Sequence, residues 1–575
     1  MAMVYGATSD VVQRGRLGVI NFFFLLAMML ITTKLVQHQI IEHAAFLTLA
    51  KEQHSANEEV PAKRGEVLVY DSELKDYYPL ATNVSLYSLN IVPTQIKRPE
   101  LTAAKLMPYL TDTGIEESEL LTTMKSNKVY VPPLRRRIEE PEAKEINALD
   151  LDGVILRTEE YRYYPEDSLA SHILGFVNRD KAGQYGVEGY FNKELSGKQG
   201  LSQVEQSSSG VQITVGNRKI ISPEDGASVV LTINRAIQYY VEKKLKEYVD
   251  KFKATGGEVI IMEPNTGRVV AMASYPNFNP NYYSEYPLED FVNANISAVY
   301  EPGSVFKVIT MAAGMDTGLV SPSTTYTDTG EVLVDDKIIH NSDLKAHGVQ
   351  TMTEVLEKSL NTGAIYVVQK LGRYLFSKYL TSFGFGSATG IELDGEVGAP
   401  IRSTKNWAEV DLATMAFGQG IAITPLQLIT AFGAVANQGN LMKPHIIDKI
   451  LYPSGAVSVD PQMIRTVIKP GVAQLLSAMM VSVVQNGHGK QAGVPGYRIA
   501  GKTGTAQIPT SSGGYEDWDT IGTFVGFGPV DSPRFVMLTK IDRPQGMRFA
   551  ESSAAPLFGE IAKFLLNYWQ IPPEK

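Results

Sequence analysis

The chain has no cysteine among its 575 residues. That excludes a thiol nucleophile, a disulfide framework and thiolate metal ligation. Histidine is scarce: the eight histidines are scattered and form no His-Glu-x-x-His pair, so the zinc-hydrolase helix is absent. No Gly-x-Ser-x-Gly elbow and no Walker phosphate loop occurs. Positive charge is in deficit, with 53 Lys and Arg against 62 Asp and Glu, a net charge of −9 and a pI near 5.6. This balance argues against nucleic acid as a partner. Internal repeats and long low-complexity segments are lacking. Long apolar runs are lacking too, with one exception.

The exception is Leu17 to Thr33, which contains no charged residue. Extended through Val36 it reaches the roughly 20 residues that a bilayer crossing needs. Arg14 and Arg16 precede it, which predicts a cytoplasmic N-terminus. No Ala-x-Ala-like cleavage site follows closely, so the run reads as an uncleaved signal-anchor. Asn21 within it is of the type that hydrogen-bonds between membrane helices. The expected organisation is a cytoplasmic tail (1–16), a transmembrane anchor (17–36), a non-catalytic region (37–218) and a catalytic domain (219–575). A helical stalk is expected over about Gln37 to Gln53. A charged helix is expected over about Arg135 to Asn147, and a flexible boundary at Ser207-Ser208-Ser209-Gly210.

From Lys219 the pattern is that of an α/β enzyme. Leu231-Thr232-Ile233 runs into a long helix ending near Asp250. Glu258–Met262 and Arg268–Ala273 predict a hairpin joined by Pro264-Asn265-Thr266-Gly267. Thr523–Gly528 and Arg534–Ile541 predict late strands, and Ala554 to Trp569 a closing amphipathic helix. Strands at both ends with helices between predict an α+β fold with a helix-flanked, mainly antiparallel sheet.

Three short segments carry chemistry. Ser-x-x-Lys occurs at Ser72–Lys75, Ser304–Lys307 and Ser342–Lys345, and Ser-x-Asn at Ser55–Asn57, Ser88–Asn90 and Ser359–Asn361. Lys502-Thr503-Gly504-Thr505 occurs once. Context selects Ser304, which follows Glu301-Pro302-Gly303, a helix-start signal, and precedes an apolar stretch from Val305 to Ala313. The other two Ser-x-x-Lys copies sit in polar text and read as solvated loops. A serine hydroxyl needs a base. Three residues on, Lys307 shares its helix face, and burial or a second cation such as Lys502 would lower its pKa. Ser359 offers a proton shuttle, and Asn361 an amide to orient Lys307 and bind a substrate peptide group. Lys502 lies in a predicted strand whose edge would pair with an extended peptide. Gly504 would permit its close approach, while Lys502, Thr503 and Thr505 would receive its carboxylate.

With these segments in place the chain resembles the class B penicillin-binding proteins, monofunctional peptidoglycan D,D-transpeptidases, over nearly its whole length. Further family-like text is Arg64-Gly65-Glu66-Val67, Arg162-Tyr163-Tyr164-Pro165, Gly186-Val187-Glu188-Gly189, Gly418-Gln419-Gly420 and Thr424-Pro425-Leu426-Gln427. The resemblance implies the penicillin-binding transpeptidase fold on an elongated α+β pedestal. It implies Ser304 as the acylated serine, Lys307 as its base, and the N–H groups of Ser304 and Thr505 as oxyanion hole. The implied substrates are D-Ala-D-Ala stem peptides, with β-lactams as acylating inhibitors and carboxypeptidation as a side activity; no cofactor or metal is implied. Leu360 stands where class A β-lactamases carry Asp, and their deacylating glutamate has no counterpart, which favours a transpeptidase. Two loops depart from the family text, at Asp71-Ser72-Glu73-Leu74 and at Arg548-Phe549-Ala550-Glu551. No glycosyltransferase segment is apparent, so the resemblance implies a SEDS-type membrane glycan polymerase and other divisome proteins as partners. The text is closer to division-type members, which implies a single-pass protein at the septum. An elongation-type enzyme and a catalytically idle scaffold are the alternatives. A β-lactam sensor-transducer is disfavoured by the short segment before the anchor.

Overall fold

The apolar run folds as one helix, Ala7–Val36, continued by a π-helical turn, Gln37–Ile41, in the computed structural model, which describes residues 7–46, 55–71, 75–128, 131–205, 219–510, 514–547 and 549–574. Among the described residues, Gly15–Ile41 is the single helix long and apolar enough to cross a membrane, with a mean hydropathy of 2.1 and none of its most apolar stretch buried. The expected stalk is helical as far as Phe46, and its remainder lies outside the described residues, as does the Ser207–Gly210 boundary.

The chain divides into two bodies, Met1–Lys63 with Gly197–Asp225, and Arg64–Ser196 with Gly226–Lys575. Besides the long helix, the first holds an antiparallel sheet of Ser55–Val60, Gly200–Glu205 and Lys219–Ile221.

The second body contains two large sheets. In one, strands from both sequence halves lie side by side in the order Gly455–Ser458, Ile447–Tyr452, Ser228–Leu231, Val67–Asp71, Asp76–Ile91 and Arg135–Ile138, with Val154–Tyr163 also paired to Asp76–Ile91. Ser228–Leu231 and Val67–Asp71 run parallel; the other neighbours are antiparallel. The charged helix expected from Arg135 begins later. Arg135 and Ile138 pair with Leu89 and Tyr87 in the sheet, and the helix is Glu140–Ala148, with Pro141 in its first turn. Proline lacks the N–H that a strand needs, yet suits a first helical turn. The run of arginines therefore forms a short strand, Arg135–Ile138, at the end of the sheet rather than starting a helix.

Three of the family-like segments converge on one carboxylate. Glu188, fully buried, accepts from Arg64 Nε at 2.8 Å and from Arg162 Nε at 2.6 Å. Arg162 Nη1 also donates to the Gly65 carbonyl at 2.8 Å, and Arg64 Nη1 to Ser196 Oγ at 2.7 Å. Removing one partner of a buried ion pair leaves uncompensated charge, at about 3–5 kcal/mol. Glu188→Ala strands two guanidinium groups, so its chemical-denaturation midpoint is expected to fall by at least that equivalent. A stability within about 1 kcal/mol of the parent would show the cluster to be dispensable.

The other sheet is antiparallel, in the order Val269–Tyr275, Gly256–Met262, Phe535–Asp542, Tyr515–Gly528 and Ala500–Pro509. Alternate residues along its strands enter two different cores. Val259, Ile261, Phe524 and Met537 pack with helices Arg235–Phe252 and Ala554–Tyr568. Ile260, Met262, Val525, Val536 and Leu538 pack with Lys307–Asp316, Pro425–Ala436 and Pro470–Asn486. A sheet covered on both faces explains why these strands are near-continuously apolar. The expected hairpin, late strands and closing helix all form.

Candidate active site

Ser304 sits in a 3₁₀ turn, Gly303–Phe306, that opens into the buried helix Lys307–Asp316. The apolar stretch from Val305 to Ala313 is buried as its pattern required. Gly303 has φ of +60°, and a Cβ there would lie 3.0 Å from the Thr505 carbonyl oxygen. A Cβ on Gly418, at φ +83°, would meet the Gly303 carbonyl at 2.2 Å. These two glycines let three backbone segments close on the serine. The Gly303 N–H donates to the Gly418 carbonyl at 3.2 Å, and the Gly420 N–H to Glu301 Oε1 at 2.9 Å, so Gly418-Gln419-Gly420 braces the serine turn. Thr424 and Gln427 form a capping box that starts the helix Pro425–Ala436 just beyond.

All three motifs meet. Lys307 Nζ lies 3.0 Å from Ser304 Oγ, donates to the Ser359 carbonyl at 2.5 Å, and is 3.2 Å from Ser359 Oγ. Lys502 Nζ donates to the same Ser359 Oγ at 3.1 Å and to the Thr503 carbonyl at 2.9 Å, with Thr503 Oγ1 at 3.4 Å. The Ser359 hydroxyl thus bridges two amines. Both lysines are buried, 1% and 0% exposed, and neither has a carboxylate salt-bridge partner among the described contacts. Burial, and then repulsion from Lys502, hold Lys307 well below the usual lysine range. Burial brings Lys502 down to about 7, against a small opposing pull from Glu551.

Ser359 adopts φ of +57°, a left-handed conformation costing a non-glycine residue about 1–2 kcal/mol. That conformation stands where its carbonyl meets Lys307, an outlier of the kind found at functional sites. Asn361 begins the helix Asn361–Ser382, and its Nδ2 donates to the His340 carbonyl at 2.8 Å. No described contact joins it to Lys307, so the expected orienting bond is supplied instead by the Ser359 carbonyl.

Lys502–Thr505 lies on Ala500–Pro509, the outermost strand of its sheet, as the peptide-pairing expectation required. A Cβ on Gly504 would lie 2.7 Å from the Pro302 carbonyl, so here the close approach that glycine permits is that of the serine turn. Thr505 Oγ1 accepts from the Ala550 N–H at 3.0 Å, which leaves its own proton to donate. Ser342 and Lys345 are exposed on a turn, and residues 72–74 lie outside the described residues. So does Arg548.

Two features were missed. Tyr515 Oη donates to Glu301 Oε2 at 3.0 Å, tying the start of the strand beside Lys502's to the serine turn. Their separation of over 200 residues left no local signal. Asp328 was missed as well, and its hydrogen bonds to Thr362 and Asn341 place it beside the Ser359–Asn361 segment.

Residues 257–563 match the penicillin binding protein transpeptidase domain, and residues 59–231 the penicillin-binding protein dimerisation domain. Among curated proteins, stage V sporulation protein D of Bacillus subtilis (strain 168) is 33% identical over 99% of this chain and 88% of its own length. Peptidoglycan D,D-transpeptidase FtsI of Escherichia coli (strain K12) is 32% identical over 77% of this chain and 73% of its own. Among solved structures, penicillin-binding protein 3 from Mycobacterium tuberculosis in complex with aztreonam superposes with a TM-score of 0.69 at 26% identity, over 90% of this chain and 98% of that one. The match of more than half the chain to the transpeptidase family, with full-length relatives above 30% identity, shows that the chain belongs to the class B penicillin-binding proteins, the serine D,D-transpeptidases.

Proposed function

We propose that the chain cross-links peptidoglycan stem peptides through an acyl-enzyme on Ser304, at the division septum. One observation carries the chemistry: Ser304 Oγ lies 3.0 Å from an amine that is buried and has no carboxylate salt-bridge partner among the described contacts. Lys307, kept neutral, takes the hydroxyl proton as Oγ attacks the carbonyl of the penultimate D-Ala. The N–H groups of Ser304 and Thr505 hold the developing oxyanion. The Ser359 hydroxyl, between the two lysines, passes a proton to the departing D-Ala amine. An amine of a neighbouring stem then attacks the ester and regenerates Ser304, closing the cross-link. The terminal carboxylate is received by Lys502, Thr503 and Thr505, with Gly504 letting their strand lie close to the serine turn. Asn361 presents its amide oxygen to the substrate backbone. A β-lactam acylates the same oxygen and, with no deacylating glutamate, stays.

The domain organisation proposed is a tail (1–16), an anchor (17–36), a pedestal (37–218) and the transpeptidase domain (219–575), with the N-terminus cytoplasmic and the bulk outside. A SEDS-type glycan polymerase supplies the glycan, and the pedestal serves as its docking surface. The test joins three readouts. A fluorescent penicillin should label the purified chain once and be released slowly. A tagged chain should concentrate at septa, and purified with a polymerase and lipid-linked substrate it should cross-link the nascent glycan. Rapid turnover of the penicillin would make it a lactamase; side-wall localisation would make it the elongation enzyme; labelling without cross-linking would leave a scaffold.

A further inference from the structure

Asp328 is a carboxylate buried to 2% exposure where two two-stranded sheets meet the start of the helix Asn361–Ser382, and the chemistry above does not use it. It ends the strand Thr325–Asp328, which pairs with Gly348–Thr351. Beside it, Glu331–Val334 pairs with Lys337–His340. Its Oδ1 accepts from the Gly330 N–H at 3.1 Å, Asn341 Nδ2 at 3.0 Å and Thr362 Oγ1 at 2.6 Å. Its Oδ2 accepts from Asn341 Nδ2 at 3.0 Å and the His347 N–H at 3.0 Å. Asn341 Oδ1 in turn accepts from the Thr362 N–H at 3.2 Å, and the Thr362 oxygen lies at the same distance from it.

Thr362 follows Asn361 directly. The helix Asn361–Ser382 is preceded by Leu360, which offers no side-chain cap. The first-turn donors of a helix need partners, and here Asn341 supplies one from another segment, held in place by Asp328. The hairpin that carries Asn341 also carries the His340 carbonyl that accepts from Asn361 Nδ2. On the other side of the motif, Thr351 caps the helix Met352–Glu357, which delivers Ser359. Both flanks of the Ser359–Asn361 segment are therefore tied to these two sheets.

We propose that Asp328 is a positioning residue of the transpeptidase reaction: through Asn341 and Thr362 it fixes the Ser359–Asn361 segment against Lys307. The inference rests on Ser304 being the acylated residue. Asp328 touches no reacting atom; it acts through the two side chains that it accepts from. Five hydrogen bonds outweigh its burial and keep the carboxyl below the ordinary carboxylate range. An amide in its place would turn one donor against donors.

The experiment uses the full-length chain in detergent and a fluorescent penicillin, separating the binding constant from the acylation rate constant and counting the labelled fraction at completion. Asp328→Asn is expected to lower the acylation rate constant by about tenfold to a hundredfold, as small misplacements of reacting groups do, with binding changed by less than about twofold. Thr362→Val, which removes one donor, should lose rate in the same direction, and Thr362→Ser should restore it. A purely structural Asp328 would lower the melting temperature or the labelled fraction and leave the rate constant of the folded fraction at the parent value; that result overturns the inference. If Asp328→Asn does not fold, the Thr362→Val and Thr362→Ser pair decides alone. Ser304→Ala is run alongside: label surviving in it refutes the reading of Ser304, whereas label lost in it with normal rates at Asp328 and Thr362 refutes the inference only.

Discussion

Ser304→Ala is expected to abolish the covalent penicillin adduct entirely, and to leave the fold intact. Mass spectrometry of the treated parent chain should find one adduct, on the peptide containing Ser304. The expectation follows from geometry. Of the three Ser-x-x-Lys copies, the Ser304 copy opens a buried helix and places an amine with no carboxylate salt-bridge partner 3.0 Å from the hydroxyl. Ser342 and Lys345 lie exposed on a turn, with no buried helix to hold the hydroxyl against the amine. The fold should tolerate the change because Ser304 is partly exposed, and its described side-chain contact is the one with Lys307. Stability within about 1 kcal/mol of the parent is the matching expectation, since one net hydrogen bond contributes about that much. An adduct persisting in Ser304→Ala would remove the assignment of the nucleophile.

What the sequence made legible, and what it hid, divides along physical lines. The three motifs were legible because each needs its residues within one turn or one strand, and the apolar stretch after Ser304 singled out its copy among three of the same spacing. The helix after Ser304 and the strands at Glu258 and Thr523 were legible because burial on both sides demands apolar runs. The meaning of Gly418-Gln419-Gly420 was not, because a Cβ clash with Gly303 is a contact between segments over 100 residues apart. The arginines at 135–137 misled because charge suits a solvated helix and an edge strand equally, and pairing to Leu89 decided between them. Glu258 and Lys540 sit in the predicted strands with nothing in the sequence to join them, yet they are buried as a pair at 2.7 Å, and burial and then Asp542 raise the Glu258 carboxyl above its ordinary range. Asp328 gave no sign at all: its donors come from Gly330, Asn341, His347 and Thr362, gathered only by the fold.

The lysine pair makes the last expectation, on pH. Lys307 can accept a proton from Ser304 only when neutral, and Lys502 helps to keep it so. As pH falls towards 7, Lys502 takes up a proton near its own pKa of about 7, and its charge makes protonating Lys307 harder. The two amines share the Ser359 hydroxyl, so the acid limb of acylation reports the pair rather than one residue. Lys502→Met removes the second charge. The acid limb should move to higher pH by about one pH unit, beyond the loss of rate caused by the missing hydrogen bond to Ser359. Stability gives an independent sign. Lys502 titrates near 7 in the folded chain and near about 10.4 when unfolded, so between those values the unfolded chain binds more protons. Its stability penalty is then full below pH 7 and is relieved as pH rises through that window. Lys502→Met should flatten the rise in the parent's urea midpoint between pH 7 and about pH 10. An acid limb and a stability slope both unchanged in Lys502→Met would mean that the buried amine at 502 carries no titrating charge in the folded chain, and that Lys307 owes its neutrality to burial alone.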